Sequence, residues 1–276
     1  MRSTPSPLFK GHNDSRSSRI LSGLRNKWQR YWVHARFEEW GDLVYARPLA
    51  TLVLVLVGGI PGVTPDRLTL FSALLRAASL YLLLTPPFDP WLVSGLFLLA
   101  VAVDGSDGQL ARAHGLSSPL GSFLDKVLDL VWQGVLFLSL GWLASEESGS
   151  ALYLLLAAIA FAAQSIAYYA YWVAKGASAA AGKDMDVGLG EMGDDRPPLT
   201  LKKIVKIQSY IFAFQESDLH LWIALGLILN RLPELCWFLA LTQLLTGSIR
   251  VVARARVVHS LAAGQSAGMD EADSDG

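Results

Sequence analysis

Long apolar stretches separated by short polar segments run along most of this chain, and their lengths predict helices that cross a membrane. Apolar runs cover residues 68–84, 151–174 and 235–253. A helix of about 20 apolar residues spans the roughly 30 Å hydrocarbon core of a bilayer. Six spanning helices fit the pattern, over about 67–85, 91–113, 119–143, 150–175, up to Asn230, and 233–256. The sequence therefore predicts an all-α fold, that of a polytopic membrane protein with six transmembrane helices.

The segment before the first predicted span has a different pattern. Residues 28–48 read WQRYWVHARFEEWGDLVYARP, in which aromatic and charged residues alternate. This composition predicts an amphipathic helix in the headgroup region of the membrane. The apolar run 49–60 is too short to span and continues that interfacial segment. The predicted organisation is a disordered tail, an interfacial amphipathic segment, a six-helix domain and a disordered acidic tail, at 1–27, 28–60, 61–259 and 260–276.

The composition indicates a membrane protein, and the charges of the predicted loops indicate how it is oriented in the membrane. The chain is 52% hydrophobic and only 17% charged, whereas soluble domains carry roughly 25% charged residues. The predicted loop 175–206 holds six Lys or Arg, and the predicted loops 85–90 and 144–150 hold none. Basic loops stay in the cytoplasm, so both termini are expected there. No nucleic-acid partner is expected.

Charged residues interrupt the apolar pattern between the second and third predicted helices, in the stretch 104–129. At 3.6 residues per turn, Asp104 and Asp107 share one helix face, and Asp125 and Asp129 share a face of the next helix. A short turn joins the two helices, so the carboxylate faces meet near the cytoplasmic edge of the membrane. Four carboxylates there repel one another unless a cation binds, and oxygen ligands favour hard metals such as Mg²⁺, Mn²⁺ or Ca²⁺.

The same stretch resembles the signature of the CDP-alcohol phosphotransferase (CDP-alcohol phosphatidyltransferase) family. That signature reads D-x-x-D-G-x-x-A-R, eight residues, then G-x-x-x-D-x-x-x-D. Its eight fixed positions are all matched here, by Asp104, Asp107, Gly108, Ala111, Arg112, Gly121, Asp125 and Asp129. The resemblance covers roughly residues 45–256. It implies an integral-membrane transferase that moves a substituted phosphate (phosphatidyl) group from a CDP-alcohol to an alcohol and releases CMP, in phospholipid biosynthesis.

The resemblance also implies a role for each position. The residues that would bind two divalent ions, Mg²⁺ or Mn²⁺, are Asp104, Asp107, Asp125 and Asp129. Asp129 would also act as the general base, and Gly108 and Arg112 would contact the cytidine diphosphate part of the donor. Weaker nucleotide contacts would come from Asp66, Thr69 and Ser118. The partners implied are the CDP-alcohol donor, the alcohol acceptor, membrane lipid and a second copy of the chain in a homodimer, with the active site at the cytoplasmic face.

The identity of the two substrates stays open at this point. We favour CDP-diacylglycerol with a polar acceptor such as inositol phosphate or glycerol phosphate. The alternatives in the same family are CDP-choline or CDP-ethanolamine with diacylglycerol, and transfer between soluble inositol phosphates. The choline branch commonly has His after the third Asp, and Lys126 stands there instead. More distant alternatives are a membrane prenyltransferase, whose Asp-rich motifs lie in two separated segments, and a cation transporter, which needs no fixed spacer.

The fifth predicted helix and the basic residues around it are expected to bind the acceptor. Its apolar part, 219–229, covers about 16 Å at 1.5 Å per residue. Polar residues must therefore enter the membrane zone there, facing protein or water. Candidates to bind an acceptor phosphate are Lys202, Lys203, Lys206, Arg250 and Arg254. The alternative explanation, which we favour for each of them, is an anchor on the cytoplasmic side.

Overall fold

The computed structural model describes residues 13–37, 39–85, 87–116, 119–182, 199–209, 214 and 216–274. Helices make up most of this part of the chain, and no strand occurs within it. The helices are α1 (Asn13–Trp32), α2 (Arg47–Val57), α3 (Pro65–Leu83), α4 (Pro90–His114), α5 (Pro119–Ser148), α6 (Leu152–Ala180), α7 (Leu201–Ser209), α8 (Glu216–Ile228) and α9 (Leu232–Ser274). A π-helical segment, Asp42–Ala46, precedes α2. The all-α prediction is confirmed.

Four of these helices are long and apolar enough to cross a membrane. The spans are Pro90–His114, Asp125–Ser148, Leu152–Ala180 and Leu232–Ala262. The molecule is thus a polytopic membrane protein. Among the described residues, four helices rather than the predicted six are long and apolar enough to span by themselves. The first predicted span corresponds to α3, whose apolar run contains Arg76. The fifth corresponds to α8, whose 13 residues cover only about 20 Å.

Local sequence signals fix the ends of α3 and α4. Thr64 caps α3 by accepting a hydrogen bond from the backbone N–H of Arg67. Asp89 caps α4 in the same way through the backbone N–H of Trp91. Gly115 ends α4 with a φ of 67°, a left-handed conformation that glycine adopts without steric cost. The helix α5 begins four residues later, at Pro119.

The main apolar core lies between the spanning helices and α8. Phe97 of α4, Phe137 and Leu140 of α5, Ile223 of α8 and Leu239 of α9 are buried in it. This burial draws α8 into the helix bundle although it is too short to span. The core therefore fixes where the polar residues at the start of α8 lie.

The segment before α3 packs against the bundle. Tyr31 and Phe37 are buried, and the side-chain amide of Gln109 on α4 donates to the Tyr31 carbonyl and to the Thr51 hydroxyl, each at 2.9 Å. The helix α1 begins at Asn13 and so enters the stretch expected to be a tail. No proline lies between Pro7 and that helix to interrupt it. The predicted domain limits stay predictions.

The π-helical segment is tied to the start of α8 by buried polar contacts. The backbone N–H of Gly41 donates to Asp218 Oδ1 at 2.5 Å. The Ser217 hydroxyl donates to Asp42 Oδ1 at 3.2 Å, and its backbone N–H donates to Glu39. Arg47 pairs with Asp42 at 3.0 Å. These contacts hold α8 against the N-terminal segment and explain how Asp218 can be buried.

Candidate active site

Three aspartates from α4 and α5 converge in the helix bundle. One carboxylate oxygen from each of Asp104, Asp125 and Asp129 lies within 4.8 Å of the others. All three side chains are partly buried. Asp125 and Asp129 lie four residues apart on α5, so the helical spacing places both carboxylates on the side where Asp104 of α4 meets them. We call these three residues the carboxylate cluster.

Asp107, the fourth predicted ligand, lies one turn from the cluster and contacts α3. It accepts a hydrogen bond from the Thr69 hydroxyl. The Ser72 hydroxyl, one turn further along α3, donates to Asp104 Oδ1 at 3.0 Å. Thr69 was predicted near the nucleotide, and the structure places it beside a motif aspartate; Ser72 was not predicted. Its signal in the sequence is weak, because a single serine in an apolar helix is common.

Arg76 bridges two members of the carboxylate cluster, a contact that sequence reasoning missed. Its guanidinium lies 2.8 Å from Asp104 and 3.1 Å from Asp129. The side chain is 6% exposed. Arg76 is the one charged residue in the apolar run 68–84, and an ionisable residue at membrane depth is functional by default. That signal was available in the sequence.

Lys126 contacts the cluster from its exposed side. Its ammonium lies 3.5 Å from Asp125 and 3.6 Å from Asp129. This is the residue that stands where the choline branch commonly has His. It therefore adds a second positive charge to the cluster, next to the one supplied by Arg76.

The two motif residues expected to contact the nucleotide lie together near the end of α4. The Arg112 guanidinium donates through Nε to the His34 carbonyl at 2.9 Å. A Cβ atom on residue 108 would lie 3.2 Å from Arg112 Nη1, so glycine lets the guanidinium lie close to the helix. Asp66 is exposed in the first turn of α3. Ser118 lies outside the described residues.

The basic residues considered for the acceptor are spread over different parts of the structure. Arg254 is buried and donates to the Ala167 carbonyl of α6 at 2.5 Å. Arg250 is buried within electrostatic range of Glu39 and Asp218. Lys202 is exposed on α7. The Lys206 side chain lies outside the described residues.

The donor set of the carboxylate cluster fits a hard divalent cation. It offers oxygen atoms only, from three carboxylates at mutual distances that one ion can bridge. Hydrogen bonds from α3 orient Asp104 and Asp107, as outer partners do for metal-binding carboxylates. The positively charged side chains of Arg76 and Lys126 now pair with carboxylate oxygens that such an ion would bind.

Comparison with known proteins adds a family match. The family model described as CDP-alcohol phosphatidyltransferase matches residues 62–229, more than half of the chain. A crystal structure of Mycobacterium tuberculosis phosphatidylinositol phosphate synthase with CDP-DAG bound is similar with a TM-score of 0.45 and 20% identity, over 78% of this chain and 92% of that chain. No curated protein matches the sequence.

Proposed function

This chain belongs to the CDP-alcohol phosphatidyltransferase family, and from that premise we propose that its donor is CDP-diacylglycerol and its acceptor a polar alcohol. The chain is a membrane transferase that moves a substituted phosphate group from a CDP-alcohol to an alcohol in phospholipid synthesis. One observation carries the proposal: three carboxylates of the family signature converge within 4.8 Å of one another. Lys126 in contact with Asp125 and Asp129 supports a donor other than CDP-choline.

The metal ligands in this proposal are Asp104, Asp107, Asp125 and Asp129, holding two Mg²⁺ or Mn²⁺ ions. When bound, such ions polarise the diphosphate and neutralise the charge that develops on the departing CMP. The three converging carboxylates support this ligand set. Asp107 joins it from the adjacent turn of α4.

The protein's own side chains supply the rest of the chemistry. Asp129 accepts the proton of the acceptor hydroxyl, whose oxygen then attacks the β-phosphorus. Arg112 binds diphosphate oxygens with its planar guanidinium. Gly108, which has no side chain, leaves room for the guanidinium and for the diphosphate. Thr69 orients Asp107. The weaker nucleotide contacts proposed are Asp66 and Ser118.

The site works at the cytoplasmic face, with both termini on that side and six membrane passages. The short turn between α4 and α5 lies at the same end of the helices as the carboxylate cluster, and the basic loop 175–206 supports its cytoplasmic orientation. An interfacial site suits a reaction that joins a lipid with a water-soluble group. The active assembly proposed is a homodimer in membrane lipid.

The experiment is a CMP-release assay with the purified protein in detergent. CDP-diacylglycerol, CDP-choline and CDP-inositol are each offered with glycerol phosphate, inositol phosphate, serine or diacylglycerol. We expect CMP only with CDP-diacylglycerol plus a polar acceptor, and only with Mg²⁺ or Mn²⁺. CMP release with CDP-choline and diacylglycerol alone would contradict the donor assignment, and no release from any pair would contradict the function.

A further inference from the structure

A small cavity adjoins the carboxylate cluster on the side away from the turn between α4 and α5. Its polar lining comprises Arg76, Asp129, Gln133 and His220. Apolar side chains such as Phe97 form the remaining wall. Phe97 precedes Asp104 by about 10 Å along α4 at 1.5 Å per residue. The cavity therefore extends from Asp129 toward the interior of the membrane.

Two buried polar atoms in this cavity wall have no hydrogen-bond partner within the described part of the chain. They are Gln133 Nε2 and His220 Nδ1. The two side chains are 5% and 4% exposed. Buried polar groups in folded proteins are hydrogen-bonded in the large majority of cases. Both residues line the same cavity, which has room for about one water-sized atom, so the group that pairs with them there is small and polar.

Both side chains are held in place by the fold. Gln133 follows Asp129 by one helical turn, so the two share a face of α5. The His220 ring meets the Phe97 ring edge-on, with the ring centroids 4.8 Å apart at 81°. The start of α8 is in turn fixed by the bond between Gly41 and Asp218. Gln133 and His220 are thus preorganised beside the residue proposed as the base.

We propose that Gln133 and His220 bind a neutral oxygen of the acceptor alcohol, on the carbon next to the one that carries the reacting hydroxyl. The proposal rests on the proposed function, in which that hydroxyl lies at Asp129. An amide N–H donates to an oxygen, and an imidazole nitrogen donates or accepts according to its tautomer. The apolar wall and the pairing of Arg76 with two carboxylates favour a neutral group over a phosphate.

Two kinds of acceptor carry such an oxygen. A polyol phosphate presents a vicinal hydroxyl, and diacylglycerol presents an ester oxygen. The test therefore compares each acceptor with an analogue that lacks the oxygen on that neighbouring carbon. For glycerol phosphate the analogue is propane-1,3-diol monophosphate. A site whose buried polar groups lose their partner discriminates strongly against such an analogue.

The variant is Gln133→Met, which keeps the volume of the side chain and removes the amide. Gln164→Met is the matched control, because Gln164 on α6 also has a buried amide oxygen and does not line the cavity. His220→Phe is a second, independent variant, which keeps an aromatic ring at this position and removes the ring nitrogens. Thermal shifts with Mn²⁺ and with CDP show that each variant is folded and retains its metal and donor sites.

We expect the wild-type protein and Gln164→Met to prefer the full acceptor over its analogue by at least tenfold in kcat/KM. Gln133→Met and His220→Phe should reduce that preference to near unity while KM for the donor is unchanged. An unchanged preference, or a changed donor KM alone, would overturn the proposal. Turnover of the polyol phosphate identifies the oxygen as a vicinal hydroxyl, whereas turnover of diacylglycerol alone would contradict the polar acceptor proposed above. A wild-type protein that releases no CMP from any substrate pair would instead overturn the proposed function.

Discussion

Arg76 neutralises carboxylates that come from two different helices. It lies 2.8 Å from Asp104 on α4 and 3.1 Å from Asp129 on α5. A divalent ion held by the carboxylate cluster competes with the guanidinium for those same oxygens. Arg76 therefore controls how much negative charge the cluster offers to an ion, and it compensates that charge when no ion is bound.

Replacement of Arg76 by methionine should tighten metal binding. The change keeps an apolar stem and removes the charge. Two unit charges about 4 Å apart interact by about 4 kcal/mol at an effective dielectric constant of 20, so even a third of that amount corresponds to roughly tenfold in affinity. We expect Arg76→Met to bind Mn²⁺ at least roughly tenfold more tightly in a titration followed by electron paramagnetic resonance.

The same variant should unfold at a lower temperature in EDTA, because its buried carboxylates lose their counter-ion. Arg67→Met is the matched control, since Arg67 is exposed on the same helix and its guanidinium donates to the Gly62 carbonyl at 2.8 Å. Equal or weaker Mn²⁺ binding by Arg76→Met would show that the guanidinium does not compete with the ion.

Asp129 combines two proposed roles, and the isosteric change Asp129→Asn separates them. An amide cannot accept the proton of the acceptor hydroxyl, and a general base contributes about 100- to 10,000-fold to a rate. We expect kcat to fall by that range while CDP still produces a thermal shift. Glu147→Gln, the same acid-to-amide change at an exposed residue near the far end of α5, is the control. Full activity of Asp129→Asn would remove Asp129 as the base.

Whether a residue of the site could be predicted depended on how far along the sequence it lies from the residues that it contacts. Three of the four motif aspartates converge, and the short spacing between them in the sequence made that convergence foreseeable. Arg76 and Ser72 reach Asp104 from another helix, and such contacts depend on how α3 packs against α4. Gln133 is an ordinary polar residue until the cavity beside it is known. The sequence offered only one hint, a charge inside an apolar run.

Among the elements, both ends of α4 and the start of α5 were predicted nearly to the residue, whereas α5 continues to Ser148, beyond the end predicted near residue 143. Pro90 and Pro119 stand at the first positions of the two helices, and Gly115 ends the first one. These are local signals, which act regardless of the rest of the fold. The helix α8 was predicted as a span, and its 13 residues are too few to cross a membrane. Its buried Asp218 accepts a hydrogen bond from Gly41 of the N-terminal segment.

The junction between the N-terminal segment and α8 has no space for a side chain at residue 41. A Cβ atom there would lie 2.6 Å from the backbone carbonyl carbon of Ser217, and backbone atoms cannot move aside cheaply. We expect Gly41→Ala to lower the unfolding temperature by several degrees and to reduce activity, because α8 carries His220. Differential scanning calorimetry and CMP release measure the two effects.

Gly23→Ala provides the comparison for that junction. A Cβ atom at residue 23 meets nothing within 4 Å, and alanine favours a helix over glycine by about 1 kcal/mol. This variant should therefore be as stable as the wild-type protein or slightly more stable. If Gly41→Ala behaved in the same way, the N-terminal segment would not be packed tightly against α8.

In the whole molecule, the site depends on regions outside the matched family segment 62–229. His34 accepts the hydrogen bond from Arg112, and Tyr31 accepts one from Gln109. The N-terminal segment therefore does more than attach the chain to the membrane surface. It holds the motif arginine in place, and it closes the bundle on the side of α8.

The orientation of the whole molecule can be tested with single cysteines. The only native cysteine, Cys236, is 0% exposed, so Cys236→Ala gives a cysteine-free background. Pro87 lies in a predicted outward loop and Lys202 in the predicted inward one, and both are exposed. In intact cells, a membrane-impermeant maleimide should label Pro87→Cys and should leave Lys202→Cys unlabelled until the membrane is permeabilised. The opposite pattern would place the carboxylate cluster at the outer face of the membrane. The basic loop 175–206 would then lie outside the cell, against the rule that basic loops stay in the cytoplasm.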